Sequence, residues 1–272
     1  MKHDIIVLQC ALIASFLMPV GLVLAQEGSK TESPVHHYLH KKEQPHAAEW
    51  SYTGKTGPSH WGDLSREYVL AKTGKRQSPI DIRRPVGKRL PKLSFNYKPS
   101  RIRLIYNGHS IQENEEPGGY TISGEKQYAL QQFHFHSPSE HTVDGKHFPM
   151  EMHLVHQAED GALGVVSVLI QAGEHNKSFD PVWNMLPDAD QPTRSSEAKI
   201  DAMSLLPQNY SYYAYSGSLT TPPCTEKVKW AILTTPVSLS NEQITRFRHV
   251  INGNNRPVQP FNGRIVLRSQ NQ

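Results

Sequence analysis

Three histidines have the residue type and the spacing of a metal site. His134 and His136 lie two residues apart in the segment 132–136, and His153 lies in the segment 151–156. In a β-strand, residues two apart share one face, about 6.5–7 Å apart along the backbone. Two imidazoles can therefore converge on one ion, and a third can come from a neighbouring strand. Three neutral imidazoles suit Zn²⁺ and leave a fourth tetrahedral position open.

The second segment also carries an acceptor for one of these rings. Glu151 and His153 share a strand face, and a metal-binding histidine usually donates its second N–H to a carboxylate or carbonyl. An H-x-H pair also fits two exposed histidines of an ordinary strand. Spacing alone does not establish that the two strands are neighbours, so both interpretations stay open at this point.

The elements that must position these residues are mostly strands. From Trp50 onward, short runs with strand character alternate with turn signals such as Asn107-Gly108 and Asp144-Gly145. The predicted strands lie at 93–97, 102–106, 120–122, 131–136, 150–156, 164–170, 228–233 and 263–267. The pattern predicts a mainly β (α+β) single domain with a large, mostly antiparallel, twisted central sheet.

Helical signals are few and short. Ser240 to Gln243 form a capping-box pattern before Ile244, Phe247 and Val250, which predicts a helix there. The segments 178–185 and 197–203 are further short helix candidates. These helices are expected at the periphery of the sheet.

Composition excludes several classes of protein. The chain has 272 residues with 37% hydrophobic residues, which is enough for a core and excludes global disorder. A net charge of +4 is too dilute for a dedicated nucleic-acid binder. Two cysteines, one of them Cys10, exclude a disulfide-dense scaffold and a thiolate metal site.

The N-terminal region is interpreted as a targeting segment followed by a tail. Residues 1–25 have a short basic start and an apolar run, and they are predicted to be a cleaved signal peptide; an uncleaved signal anchor is the alternative. Residues 26–48 are polar and aperiodic, which predicts a flexible tail with four histidines. That tail is interpreted as a solvated linker, with collection of divalent metal as the alternative. The mature protein is expected to be periplasmic or secreted and not embedded in a membrane, with its folded domain at 49–270.

Several sequence blocks together resemble the alpha-class carbonic anhydrases. They run in the order of that family from about Trp50 to Arg268 and cover nearly the whole predicted domain. The blocks are Gly57-Pro58 with His60-Trp61, Arg76 to Asp81, Asn107-Gly108-His109, Gln132 to His136, Ser139 to Asp144, Glu151 to His156, Ser218 to Pro223 and Asn255-Arg256-Pro257.

The resemblance implies a zinc enzyme that hydrates CO₂ reversibly to bicarbonate and a proton through zinc-bound hydroxide. It implies one Zn²⁺ per chain, held by His134, His136 and His153, with Gln132 and Glu151 accepting from ligand imidazoles. The implied partner is a small molecule, CO₂ or bicarbonate, and no nucleic acid.

The same resemblance implies roles for further residues. Thr220 matches the threonine that accepts a hydrogen bond from the hydroxide and donates one to a carboxylate, which Glu140 matches. His109 matches the proton shuttle. Taken alone, its position after Asn107-Gly108 describes an ordinary histidine in a surface turn. Tyr52 and Asn107 match polar groups of the proton-relay water network. The residues that match the substrate pocket are Val155, Val165, Leu219, Thr221, Val228 and Trp230.

One position departs from the bacterial relatives. Many of them link the position of Cys224 to a second cysteine, and here that position is Ala71. Cys224 is therefore expected to be buried, or to bridge two copies in a dimer; the oligomeric state stays open. Two other functions also remain: a catalytically silent binding domain of this family, and zinc storage led by the histidine-containing tail.

Overall fold

The computed structural model of the protein describes residues 48–270. The predicted signal peptide and the tail, apart from Ala48, lie outside the described residues. Within residues 48–270, no helix is long and apolar enough to cross a membrane.

Strands dominate the described part of the chain. In chain order they are β1 (Asp81–Ile82), β2 (Val86–Lys88), β3 (Leu93–Asn96), β4 (Ser100–Tyr106), β5 (Ile111–Asn114), β6 (Tyr120–Ser123), β7 (Lys126–His136), β8 (Thr142–Val143), β9 (Lys146–His147), β10 (Met150–Gln157), β11 (Leu163–Ala172), β12 (Thr193–Ile200), β13 (Tyr212–Ser218), β14 (Glu226–Leu239) and β15 (Leu267–Ser269).

Twelve of these strands form one sheet. Its order is β12-β4-β5-β7-β10-β11-β14-β13-β15-β2, and β6 pairs with both β3 and β7. The pairs β11/β14 and β15/β2 are parallel, and the other pairs in this sheet are antiparallel. The remaining strands, β1, β8 and β9, form a small separate sheet. The predicted large, mostly antiparallel sheet is thus confirmed.

The helices are short and peripheral. They are α1 (Trp61–Leu64), α2 (Leu70–Thr73), α3 (Asp180–Trp183) and α4 (Asn241–Val250), with 3₁₀ turns at Gly54–Thr56, Arg66–Tyr68, Lys177–Phe179 and Ala202–Leu205. The capping box that predicts α4 is present, because the Ser240 hydroxyl accepts from the backbone of Gln243 and the Gln243 side chain accepts from the backbone of Ser240. The candidate helix at 178–185 is a 3₁₀ turn followed by the single turn of α3.

Two predicted elements are wrong. Residues 197–200, predicted as helix, end strand β12, which pairs with β4 in the register Lys199 to Arg101 and Ile200 to Ser100. Backbone pairing at the sheet edge outweighs the helical preference of Glu, Ala and Lys. The predicted strand 263–267 begins only at Leu267, because Asn262 and Gly263 take positive φ angles of 49° and 72° and turn the chain.

The two faces of the sheet are buried differently. One face carries the larger core, in which Phe133, Phe135, Met152 and Leu154 pack against α3 and α4. Because strand residues alternate between faces, the intervening residues of β7 and β10 lie on the opposite face. That face carries His134, His136 and His153, beside a smaller apolar cluster that includes Trp230.

Candidate active site

Strands β7 and β10 are antiparallel neighbours, and their register brings the three histidines together. His134 pairs directly with His153, and His136 pairs with Glu151. The ring centroids form a triangle with sides of 5.0, 5.2 and 4.6 Å. One ring nitrogen of each histidine lies within 4.8 Å of the corresponding atoms of the other two. The two strands are therefore neighbours, which the spacing alone left open.

Each histidine donates one ring N–H away from the centre of the triangle. His134 Nδ1 donates to Gln132 Oε1 at 2.8 Å, and His136 Nδ1 donates to the backbone oxygen of Asn254 at 2.7 Å. His153 Nε2 donates to Glu151 Oε1 at 2.8 Å. These bonds leave Nε2 of His134 and His136 and Nδ1 of His153 as the inward-facing lone-pair donors.

The chemistry of these donors fits a zinc ion. Burial lowers the pKa of all three imidazoles, to about 4 for His136, so the rings are neutral at pH 7. His136 Nε2 is buried and has no hydrogen-bond partner among residues 48–270. A buried ring nitrogen without a partner is costly unless a ligand takes its lone pair. Three neutral nitrogens on one side are a typical donor set for catalytic Zn²⁺.

Glu151 organises the site beneath these rings. Its Oε1 accepts from His153, from His141 Nδ1 at 2.7 Å and from the Ser167 hydroxyl at 2.5 Å. Its Oε2 accepts the backbone N–H groups of Glu140 and His141, each at 2.8 Å. Although burial acts to raise the pKa of Glu151, the two histidines and their hydrogen bonds hold it well below the usual value. The carboxylate is therefore ionised and fixes the orientation of His153.

A second buried carboxylate, Glu140, faces the inward side of the triangle. Glu140 Oε2 lies 3.5 Å from His136 Nε2 and 3.9 Å from His153 Nδ1, and Oε1 accepts the backbone N–H of Arg256 at 2.8 Å. Burial raises the pKa of Glu140 to about 7, while His153 and the Thr220 hydroxyl oppose that rise. The Thr220 hydroxyl thus acts to lower the pKa of Glu140, although Glu140 Oε2 forms no hydrogen bond of standard geometry within the described residues.

An apolar wall stands beside the histidines. Val155, Val165 and Trp230 are consecutive cross-strand neighbours on β10, β11 and β14, and the Trp230 ring lies 4.9 Å from the His153 ring. Val165, Val228 and Trp230 are buried in one cluster, against which Val155 and Leu219 pack. Thr221 is half-buried, one residue after Thr220. The other five predicted pocket residues are therefore brought together in one cluster, and Trp230 places that cluster next to His153.

The proposed proton-relay residues are Tyr52, Asn107 and His109. Asn107 Oδ1 accepts the backbone N–H groups of His109 and Ser110, so this side chain shapes the turn that carries His109. The His109 ring stacks on Trp50, and burial lowers its pKa. The Tyr52 hydroxyl is buried without a partner among residues 48–270, and burial together with nearby Glu140 raises its pKa.

Comparison with known proteins agrees with this geometry. Residues 56–270 match the family model described as eukaryotic-type carbonic anhydrase. The chain belongs to the alpha-carbonic anhydrase family. A carbonic anhydrase of Neisseria gonorrhoeae is 44% identical over 80% of this chain and 87% of its own length, and one of Pectobacterium carotovorum is 42% identical over 80% and 90%.

Solved structures agree in fold. The alpha-carbonic anhydrase of Thermovibrio ammonificans, determined with the inhibitor sulfanilamide, superposes with a TM-score of 0.78 at 46% identity. The match covers 82% of this chain and all of that one. The family assignment therefore rests on sequence and on structure over the same part of the chain.

The structure also adds residues to the carbonic anhydrase site that sequence patterns did not identify. The backbone oxygen of Asn254 accepts from His136, while its side-chain nitrogen donates to the backbone oxygens of His109 and Phe135 at 3.1 and 2.9 Å. Backbone acceptors leave no pattern in a sequence, so only the fold reveals this link. Ser167 is the cross-strand neighbour of His153 on β11. The sequence did contain a signal for this residue, because it is a polar residue within an otherwise apolar strand.

Two other histidines are buried and hydrogen-bonded without being part of the triad. His141 is buried between Glu151 and the Tyr215 hydroxyl, which lies 2.7 Å from its Nε2. His156 is buried beside the hydroxyls of Tyr97 and Thr121, at 2.8 and 3.0 Å from Nε2. The remaining histidines of the described region, His60, His147, His175 and His249, are exposed.

Cys224 is buried and forms no disulfide. Its backbone oxygen accepts from Gln77 Nε2 at 3.0 Å, and Gln77 Oε1 accepts from Arg256 at 2.8 Å. The same guanidinium donates to the backbone oxygen of Ala71 at 3.3 Å. Cys224 and Ala71 are thus connected through Gln77 and the buried side chain of Arg256.

Proposed function

We propose that the chain catalyses the reversible hydration of CO₂ to bicarbonate and a proton, with one Zn²⁺ held by His134, His136 and His153. The observation that carries this proposal is the convergence of three neutral imidazoles whose outer N–H groups are all hydrogen-bonded. When bound, zinc lowers the pKa of a coordinated water to near neutrality, as is known for carbonic anhydrase, and so supplies the nucleophile.

The residues around the triad orient the reacting groups. When ionised, Glu140 only accepts hydrogen bonds, and the backbone N–H of Arg256 fixes the position of Glu140 Oε1. The Thr220 hydroxyl is then free to donate toward Glu140 and to accept a hydrogen bond from the nucleophile, which directs a lone pair of the nucleophile toward the substrate carbon. Gln132 and Glu151 hold the rings of His134 and His153 through the hydrogen bonds described above.

The apolar wall accounts for the choice of substrate. CO₂ has no net charge, and the wall formed by Val155, Val165, Leu219, Val228 and Trp230 offers it a dry surface next to the triad. Thr221 adds a polar group at the edge of this wall. Bicarbonate is charged and gains less from an apolar surface, so the wall also favours release of product.

Each turnover releases a proton that must leave the site. His109 is half-buried, and its neutral imidazole can accept that proton and release it to solvent. Water molecules ordered by the Tyr52 hydroxyl and by Asn107 are proposed to connect His109 to the triad. The mature protein is further proposed to act in the periplasm or after secretion, following removal of residues 1–25.

The test is stopped-flow CO₂ hydration combined with zinc analysis of the purified protein. His134→Ala should lose most of the bound zinc and nearly all activity. His249→Ala, which alters an exposed histidine on α4, should keep both and is the matched control. Full activity in His134→Ala would disprove the ligand assignment. Zinc retained without activity in the unaltered protein would favour the catalytically silent binding domain instead.

A further inference from the structure

A second concave site lies outside the triad, at one end of strands β11, β13 and β14. It is a cavity of about 800 Å³, and none of the three histidines lines it. At this end of the sheet Gly164, Lys229 and Ser216 are direct cross-strand neighbours, and all three line the cavity. A volume of this size falls in the range of pockets that bind small molecules.

Small side chains create the space. Ala214 and Ala231 pair across β13 and β14, Val166 pairs with Ala231 on β11, and all three line the cavity. Val165 and Trp230 of the apolar wall also line the cavity, although side chains at adjacent strand positions alternate between faces. Leu90, Pro91 and Leu93 add further apolar lining. Much of this site is therefore hydrophobic.

Cationic residues line the same cavity. They are Lys75, Arg76, Lys229 and Arg264, and none has a carboxylate within 4.0 Å among residues 48–270. The Arg264 guanidinium instead donates to the backbone oxygens of Phe261, Ser216 and Pro260.

One acidic group, Glu226, offsets only part of the charge of these four cations. Burial lowers the pKa of Arg264 and the Glu226 carboxylate opposes that shift, while Glu226 Oε1 accepts from the backbone N–H of Arg76 and the side chain of Gln77. A net positive charge beside an apolar floor is complementary to a ligand that has an anionic head and an apolar tail.

An unsatisfied polar group supports a ligand at this place. Tyr128 lines the cavity, and its hydroxyl is buried without a hydrogen-bond partner among the described residues. The Lys229 ammonium lies 5.8 Å from the centre of the Tyr128 ring. A buried hydroxyl normally finds an acceptor, and a ligand oxygen held near Lys229 would provide one.

We propose that this cavity binds a small amphipathic anion of the medium-chain carboxylate class. The carboxylate lies between Lys75 and Lys229, and the apolar chain lies on Ala214, Ala231 and Val166 beneath Leu93. None of the three triad histidines lines this site, although it shares Val165 and Trp230 with the apolar wall, and the proposal does not depend on the proposed catalytic function.

The test is isothermal titration of the zinc-loaded mature protein with sodium decanoate, below its micelle-forming concentration. One decanoate should bind per chain. The double variant Lys75→Gln with Lys229→Gln should weaken binding about tenfold, the effect of removing two partly exposed ion pairs. Ala231→Leu, which fills the floor, should weaken it further. Lys88→Gln, on the exposed strand β2, is the matched control and should bind as the unaltered protein does.

Three further arms make the result decisive. His134→Ala should still bind decanoate, because a carboxylate bound at the zinc would be lost with that ligand. CO₂ hydration and the melting temperature should be preserved in Lys75→Gln/Lys229→Gln, which shows that the fold is intact. Absence of saturable binding, as when a second copy or the chain's own tail covers the cavity, would overturn the proposal. Equal affinity in all cavity variants would overturn it as well.

Discussion

The Trp50 indole and the His109 imidazole are stacked, with ring centroids 3.6 Å apart and 13° between the planes. Trp50 also contacts Tyr52 and Trp61 edge-on, at 5.3 and 5.0 Å. The aromatic cluster thereby removes one face of the His109 ring from water. This is the physical cause of the lowered pKa of His109, because burial disfavours the imidazolium.

Replacing Trp50 should therefore move the titration of His109. In Trp50→Ala the exposed ring should have a pKa closer to the ordinary value for histidine, measured by NMR titration of the His109 ring. Trp50→Phe, which keeps an aromatic partner, should change it less. An unchanged pKa in Trp50→Ala would mean that other neighbours determine the burial of His109.

The sequence predicted the triad better than it predicted its surroundings. Period-two spacing on two strands made His134, His136 and His153 candidates, the family resemblance selected them as the ligand set, and the register of β7 and β10 brings them together. The stacking of Trp50 on His109 joins residues nearly sixty positions apart without any periodic pattern. Strand β12 was missed for a related reason: its conformation is decided by pairing with β4 rather than by its own residues.

Thr220 offers a test of the orienting network that leaves the metal ligands in place. Thr220→Val keeps the shape of the side chain and removes the hydroxyl, so CO₂ hydration should fall by about 10- to 100-fold, as for other groups that orient a metal site. The bound zinc should remain near one per chain. Thr221→Val, at the neighbouring half-buried position, is the control and should fall much less. Equal losses in both variants would place the effect in the loop rather than in the Thr220 hydroxyl.

Glu151 should matter more for metal binding than Gln132 does. The Glu151 carboxylate accepts five hydrogen bonds. In Glu151→Gln one of its oxygens becomes an amide N–H₂ group, which donates rather than accepts, so His153 loses its fixed orientation. Zinc affinity should fall by about 10- to 100-fold, measured by competition with a chelator. Gln132→Ala removes a single acceptor from the half-buried His134 and should reduce affinity less. The reverse order would show that the Glu151 network serves the fold rather than the metal.

Cys224 should be unreactive in the folded protein. Burial raises the pKa of its thiol to about 11, so almost no thiolate is present at pH 8, and the side chain is not exposed. A thiol reagent such as DTNB should react slowly in buffer and rapidly in guanidinium chloride. Non-reducing electrophoresis of the mature protein should give a monomer band that reductant does not change; a reductant-sensitive dimer band would restore the alternative of a bridge between copies.

Glu113 should make the stability of the protein depend on pH. It is fully buried on the core face of β5, where Phe133 and Leu104 are its cross-strand neighbours. Burial raises its pKa to about 8, opposed by the backbone N–H of Arg103, which donates to Oε2 at 2.8 Å. Nearby Glu115 and Glu116 raise it further. The folded state therefore holds a proton that the unfolded state has already lost above pH 5.

A raised carboxyl pKa stabilises the fold at low pH, and this stability is lost as the pH rises toward 8. Glu113→Gln cannot ionise, so its free energy of unfolding should exceed that of the unaltered protein by an amount that grows between pH 5 and 8, reaching a few kcal/mol. Chemical denaturation across this range measures the difference, with Glu159→Gln, at an exposed carboxyl, as the control. A difference that does not change with pH would show that Glu113 stays ionised in the fold, held by Arg103.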